Sequence, residues 1–309
     1  MSRRKKGLAI HGWVILDKPL GMTSTQAVGA VRRAFNAQKA GHAGTLDPLA
    51  TGILPIALGE ATKTVPFAVD GEKAYRFTVQ WGAETATDDA EGAILKTSEA
   101  SAPRAQIEAL LPQFLGQIMQ TPPAYSAIKI DGERAYDLAR AGEEVELQPR
   151  GVFVERLAIS EHDDTERRTT FEAECGKGTY VRAIARDIGR LLGCFGHVIA
   201  LRRTRVGPFE ETDAVTLESL QSAASPDAGT AEALAAMLSP CESALADLPE
   251  LLVSQTDAAS LTRGQAVIIR GRDAPILTGP AYATSKGRLI ALGELDRGAL
   301  HPTRVFNIG

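Results

Sequence analysis

From Tyr75 to Trp81 apolar and polar side chains alternate without a break: Tyr75, Phe77, Val79 and Trp81 fall on one side, Arg76, Thr78 and Gln80 on the other. A period of two has one physical solution, a strand with a dry face and a wet one. Residues 151–160 and 169–175 alternate in the same way, so a sheet is built from segments distant in the chain. Helical spacing runs through 180–192, where Val181, Ile184, Ala185, Ile188, Leu191 and Leu192 share one stripe. The chain opens with a strand at 13–16 (Trp-Val-Ile-Leu) that enters a turn at Asp-Lys-Pro-Leu-Gly. A helix follows through Ala27, Val28, Val31 and Phe35, with Thr23, Ser24 and Thr25 as its N-cap candidates. A further helix is expected across 105–115, and 122–140 starts irregular and turns helical.

At 309 residues and 44% hydrophobic, the chain can bury one large core with a satellite, or two ordinary domains. Residues 222–236 are small, Ala-rich and poor in large apolar groups, which predicts a linker or surface insertion. Beyond about residue 248 short β-like runs punctuated by glycine (266–269, 275–277, 289–292, 304–308) predict a small barrel-like module. The expected division is therefore 1–245 for the main domain and 246–309 for the module.

Cys175, Cys194 and Cys241 stand far apart with no C-x-x-C pair and no histidine at ligand spacing, so they are expected to be buried small hydrophobes, and no metal site is expected. That usage suits a reducing cytoplasm. The apolar run after the basic start is broken by His11, Asp17 and Lys18. No window approaches the roughly 18 apolar residues of a membrane span, which argues against both secretion and insertion.

The net charge of −4 conceals a polarity. Residues 1–63 carry nine Lys/Arg against three Asp/Glu and residues 175–205 seven against one, each +6, which leaves −16 for the rest. Two basic segments on an acidic chain are what a localised phosphate-binding face requires.

Residues 41–52 (Gly-His-Ala-Gly-Thr-Leu-Asp-Pro-Leu-Ala-Thr-Gly) have the glycine density of a phosphate cradle, but neither G-x-x-x-x-G-K-S/T nor G-x-G-x-x-G is present. Within the segment Pro48 restricts the backbone of Asp47, and a carboxylate so constrained can act as nucleophile or base. By itself the segment favours the plainer reading, an Asx-turn aspartate.

Six motifs decide between these readings. They are Leu-Asp-Lys-Pro-x-Gly-Met-Thr-Ser (16–24), the segment 41–52, Gly-Glu-Ala-Thr-Lys (59–63), Lys-Ala-Tyr-Arg (73–76), Gly-Thr-Tyr-Val-Arg (178–182) and Leu-Arg-Arg-Thr (201–204). In this order, over residues 12–210, they closely resemble the bacterial tRNA pseudouridine-55 synthase (TruB) family. The tail resembles, more weakly, the PUA-type RNA-binding module of these enzymes. The resemblance implies an α/β (α+β) pseudouridine synthase fold, a mixed, largely antiparallel sheet flanked by helices, with a small C-terminal β-barrel PUA-like domain. It implies isomerisation of uridine 55 in the tRNA T-loop, a reaction that gains and loses no atoms and needs no cofactor or metal. It implies tRNA as partner, held by the T-arm and the acceptor side, a cytoplasmic monomer, and an accompanying role in tRNA folding.

The same resemblance implies residue roles. Asp47 is the essential carboxylate, Arg182 its cationic partner, and Tyr75 the active-site tyrosine that stacks on the target base and assists proton removal at C5. Because that base must leave its stack, His42 fills the vacated space. Tyr180 and Leu201 wall the uracil pocket, and Lys18 and Pro19 shape its floor. Lys63, Arg202, Arg203 and Arg205 face phosphates. Residues 122–144 match a segment that closes on the RNA, with Tyr125 and Lys129 as its contacts. Two other classes compete: a non-catalytic RNA-binding or RNA-remodelling protein, and a base-excising glycosylase, which would release free uracil.

Overall fold

The computed structural model describes the chain except for residues 1–6, 127, 131–132, 136–146, 226, 228–229, 270–277 and 309. Ten strands form one sheet. Along its main path the order is Val215–Thr216, Gly12–Lys18, Ala50–Leu58, Gly196–Val206, Lys73–Trp81, Arg168–Cys175, Arg150–Asp163 and Gly116–Gln120. Ala40–His42 pairs with Ala50–Leu58, and Phe209–Glu210 with Gly196–Val206. Only the first neighbouring pair and the contact of Ala50–Leu58 with Gly196–Val206 are parallel. The sheet is thus mixed and largely antiparallel, as expected.

The dry face of Lys73–Trp81 organises the core. Phe77 stacks on Phe171 with ring centroids 5.2 Å apart, and Trp81 meets Phe171 edge-on at 6.4 Å. The Trp81 indole N–H donates to Thr169 Oγ1 at 2.8 Å, so its one polar atom is satisfied inside. Each such ring stabilises the fold by about 2–3 kcal/mol through apolar area removed from water. The helix Val181–Leu192 covers this face with Val181, Ile184, Ala185 and Ile188 and stops at Gly193, whose φ of 68° suits glycine. Ser24–Ala34 covers the face beside it. Of the three N-cap candidates Thr23 is used, in a reciprocal capping box with Gln26.

The opposite face carries Trp13, Ile15, Ile53, Val206 and Phe209, and against these lie Tyr282, Leu289, Leu292 and Phe306 of the C-terminal module. The Trp13 indole donates to the carbonyl of Cys241 at 3.3 Å. The module is a five-stranded sheet ordered Glu250–Leu252, Gly279–Ser285, Arg288–Asp296, Ala299–Val305, Val267–Ile268, with Gln255–Thr262 as its helix. Leu251, Leu261, Leu295 and Leu300 form a small core of its own.

Several expectations change in detail. The helix expected over 105–115 is Arg104–Leu110 followed by a 3-10 turn Leu111–Phe114, because Pro112 has no N–H to continue the α ladder. The stretch 222–236 is not a free linker. Its described part continues Leu217–Ala223 and forms the short helix Ala231–Ala235, with Leu234 packed on the main core. In the module Gly279–Ser285 escapes the sequence pattern because its inward residues include the small Ala281 and Ala283; the run expected at 275–277 lies outside the described residues. All three cysteines are buried free thiols. Among the described residues no helix is long and apolar enough to cross a membrane.

Candidate active site

Asp47 sits on the loop that joins Ala40–His42 to Ala50–Leu58. Backbone and side-chain bonds hold this loop from several sides. The Ser24 hydroxyl, buried at the start of its helix, donates to the Leu46 carbonyl at 3.0 Å and accepts from the Leu46 N–H at 2.9 Å. The Pro48 carbonyl accepts from Gly21 N–H at 2.8 Å and from Lys18 Nζ at 3.5 Å. Ala43 N–H donates to the Pro55 carbonyl, and Ala50 N–H to that of Asp47 itself. Glycine serves two needs here. Gly44 has φ +90°, and at Gly52, with φ +97°, a Cβ would stand 2.2 Å from the Arg203 carbonyl oxygen.

Arg182 enters from the first turn of Val181–Leu192. Its Nη2 lies 2.9 Å from Asp47 Oδ2 and its Nη1 3.2 Å from Asp89 Oδ2. The same guanidinium donates to the carbonyls of Thr87 at 2.6 Å and Tyr125 at 2.9 Å. It is 4% exposed and Asp89 2%, whereas Asp47 is 37% exposed, so only one carboxylate of the trio opens to solvent. The opening is a cleft of about 600 Å³ lined by Ser24, His42, Asp47, Thr87, Tyr125 and Arg182 among others, a volume in the range of small-ligand sites.

Asp89 and its neighbours carry no role in the sequence reading. Arg182, Arg186 and Arg190 lie one helical turn apart on Val181–Leu192, and each meets an acid of segment 84–89: Asp89, then Asp88 at 3.0 Å from Arg186, then Glu84 at 2.6 Å from Arg190. Arg186 also donates to the Thr121 carbonyl at 2.8 Å. Two successive arginines thus tie the acidic loop and the 121–126 segment to the same helix. Burial pushes the Asp88 carboxyl up to about 6, against the pull of Arg186. A visible signal existed: the arginine spacing i, i+4, i+8 and an Asp-Asp pair in a turn-rich stretch that has no other use for them.

The remaining predicted residues divide into groups. His42 and Tyr125 line the cleft with Asp47 and Arg182. Lys18 is fully buried, donates to the carbonyls of Pro19 at 2.9 Å and Met22 at 2.7 Å, and is pulled down to about 8 by burial. Pro19, expected in the pocket floor, is exposed and lines a separate depression with Asp17 and Arg202. Tyr75 and Leu201 stand on adjacent strands, Leu201 paired with Ala50 and Phe77, Tyr75 with Arg203; neither is among the residues lining the Asp47 cleft, and Tyr75 lines a separate depression with Glu174 and Arg205. Burial pushes the Tyr75 phenol up to about 12, with Arg203 beside it as a partial counterweight. Tyr180, the residue before the helix, is held through its backbone by both ends of the Gln120 amide at 3.1 and 2.9 Å. The Arg150 guanidinium lies over the Tyr180 ring at 5.3 Å. Lys129 belongs to a short strand, Lys129–Ile130, and its side chain lies outside the described residues, as does the 136–146 part of the expected closing segment.

The four basic residues expected to face phosphates all have partners within the chain. Lys63 binds Glu60 at 2.6 Å and the Val305 carbonyl at 2.7 Å, clasping the C-terminal module. Arg202 forks onto Asp17 at 3.0 and 2.8 Å and reaches Glu211 at 2.5 Å. Arg205 pairs with Glu174 at 2.5 Å. Arg203 is 2% exposed and donates only inward. Charge is legible in a sequence, but the partner that consumes it is not.

Comparison with known proteins gives a consistent picture. Residues 32–181 match the family model "TruB family pseudouridylate synthase (N terminal domain)" and residues 182–246 "tRNA pseudouridylate synthase B C-terminal domain". The chain is 60% identical over 299 residues to "tRNA pseudouridine synthase B" of Rhodopseudomonas palustris, covering 97% of this chain and 81% of that protein. It is 53% identical to the protein of the same name from Brucella anthropi, with both chains fully covered. Among solved structures, "Crystal Structure of a Cbf5-Nop10-Gar1 Complex" contains a chain similar at TM-score 0.72 and 27% identity, covering 96% of this chain and 84% of that one. A second, "Structure of H/ACA RNP bound to a substrate RNA containing 2'-deoxyuridine", matches at TM-score 0.74 and 25% identity over 100% of this chain and 92% of that one.

Proposed function

The chain belongs to the TruB family of pseudouridylate synthases, and on that footing we propose that the tRNA uridine it isomerises is the one at position 55 of the T-loop, with Asp47 as the essential carboxylate. Membership makes it a pseudouridine synthase acting on tRNA. The site assignment rests on one observation: a half-open carboxylate on a rigid loop, 2.9 Å from a buried guanidinium, in the wall of a ligand-sized cleft.

The reaction breaks the N1–C1′ bond, rotates the uracil, forms C5–C1′, and exchanges a proton from C5 for one on N1. A carboxylate serves it in three ways: by adding to the ring, by attacking C1′, or by taking a proton from C2′. Each needs a carboxylate that does not wander, and two-sided pairing of Arg182 supplies that. His42, on the strand before the loop, takes the space left by the extruded base. Tyr75 stacks on the uracil. Burial pushes its phenol up to about 12, so before RNA binds it is a neutral ring with a hydroxyl able to donate a hydrogen bond. Tyr180 and Leu201 close the sides. The T-arm lies along the cleft, the C-terminal module faces the acceptor side, and one chain suffices.

The decisive experiment uses a T-arm transcript with tritium at C5 of its uridines. Wild-type enzyme should release tritium from position 55 and leave the RNA chain intact, and Asp47→Asn should bind the RNA and release none. Wild-type turnover by Asp47→Asn would refute the assignment of Asp47. Release from a transcript with cytidine at position 55 would refute the assigned nucleotide. Free uracil together with an abasic site would replace isomerisation by base excision.

A further inference from the structure

Arg203 stands at the centre of the sheet with the catalytic loop on one side and Tyr75 on the other. Its backbone pairs with Gly52, the last residue of the glycine-rich segment, and with Tyr75 on the antiparallel neighbour. The approach to Gly52 is so close that a Cβ there would stand 2.2 Å from the Arg203 carbonyl oxygen. Strand alternation puts the Arg203 side chain on the face of Leu201 and Phe77, inside the molecule. From there its guanidinium runs under the loop. Nε donates to the Ile53 carbonyl at 2.8 Å, Nη2 to Gly44 at 3.0 Å and Nη1 to Thr45 at 3.4 Å.

A guanidinium at 2% exposure is costly to bury, and among the described residues this one forms no salt bridge that would offset the cost. Three main-chain carbonyls satisfy it, two of them in the loop that carries Asp47. The charge neighbours it does have are the Tyr75 phenol and Asp47. An apolar side chain would fill the same volume with less penalty. What it could not do is bond Gly44 and Thr45 on one side while standing directly opposite Tyr75 on the other.

We propose that Arg203 is a positioning residue of the isomerisation, a buried anchor that fixes the Asp47 loop and the Tyr75 ring relative to each other. The inference rests on the reading of Asp47 and Tyr75 given above. It differs from a phosphate contact, which would act on affinity, and from a purely structural arginine, which would act on stability alone. A fork geometry is essential, because one point donor cannot reach the three carbonyls together.

The test compares Arg203→Lys, which keeps the charge and loses the fork, with Arg203→Ala supplemented by methylguanidinium. Single-turnover pseudouridine formation at saturating T-arm RNA is measured well below the melting temperature, with RNA affinity and melting followed in parallel. For Arg203→Lys the expected single-turnover rate is lower by about 100-fold, the scale of an ångström of misplacement, with RNA affinity within about threefold of wild type. Methylguanidinium should restore the Arg203→Ala rate by about tenfold or more, at concentrations that leave its melting unchanged. A folded Arg203→Lys with wild-type rate overturns the proposal. So does a loss confined to affinity and its salt dependence, a rescue that merely follows melting, or failure of both variants to fold, which would assign Arg203 to the fold alone. Asp47→Asn run alongside separates the two readings: if it too keeps wild-type rate, the catalytic assignment itself has failed, whereas a dead Asp47→Asn beside an active Arg203→Lys removes only the role of Arg203.

Discussion

Arg182 holds Asp89 at 3.2 Å on the side of its guanidinium facing into the protein, and Asp89 is all but inaccessible to water. The pair makes the arginine a fixed object before any RNA arrives, and its other nitrogen then presents a set geometry to Asp47. Replacing Asp89 by Asn leaves the buried guanidinium with one carboxylate instead of two. We expect stability to fall by about 2 kcal/mol and the single-turnover rate by about tenfold or more, with RNA affinity nearly unchanged. Melting curves and rapid-quench assays check both; unchanged catalysis would mean that Asp89 serves only the fold.

Arg182→Lys keeps a positive charge beside Asp47 but cannot bridge two carboxylates and two carbonyls at once. The expected loss in rate is about 100-fold or more, because the fork is what orients the pair. Equal losses in rate and in RNA binding would mark Arg182 as a substrate contact first.

Asp88 gives a pH signature. Its carboxyl is pushed from the ordinary 3.8 up to about 6 in the folded chain, so between those values the folded state holds a proton that the unfolded state has released. Its contribution to stability is therefore complete below about 3.8 and lost as pH rises through about 6, by about 3 kcal/mol at most. Melting of wild type against Asp88→Asn across this range should show wild type losing ground as pH rises. Parallel curves would exclude the assigned shift.

Gly52→Ala places a methyl group against the Arg203 carbonyl in a backbone conformation that L-residues avoid. The strain should cost about 3 kcal/mol or more and displace the strand that carries Arg203. A normal melting temperature with normal activity would show that the two strands can separate freely.

Lys63→Met tests the reassignment of a basic residue. Since its ammonium bonds Glu60 and the Val305 carbonyl, its loss should loosen the C-terminal strand and lower the melting temperature. The salt slope of RNA binding should stay put, whereas a phosphate contact would lower it by about one. Titrations at several salt concentrations decide.

Much of the fold was legible because periodicity is local. Tyr75 to Trp81 and Val181 to Leu192 declare their buried faces through spacings of two and of three to four. Local patterns failed where the side chains were small, as in Gly279–Ser285, or where a short Ala-rich stretch folded back onto the core through Leu234. Asp47 and Arg182 could be named from their motifs, and the structure joins them in one cleft with His42 and Tyr125. For the basic residues of Leu201 to Arg205 the internal partners were not legible. Alternation alone would have set Arg203 on the inner face with Leu201, but a formal charge argued the other way.

By itself the sequence determined which segments are strands and helices, which loop carries a constrained carboxylate, and which family's motifs occur in order. All of these are properties of residues a few positions apart. Only the tertiary structure decided what each charge meets. Arg203 reaches Thr45 across 158 positions and Arg182 reaches Thr87 across 95. Whether an arginine faces phosphate, a carboxylate or the underside of its own catalytic loop depends on chain crossings that no local spacing encodes, because an ion pair is a contact in space between groups that the sequence keeps apart.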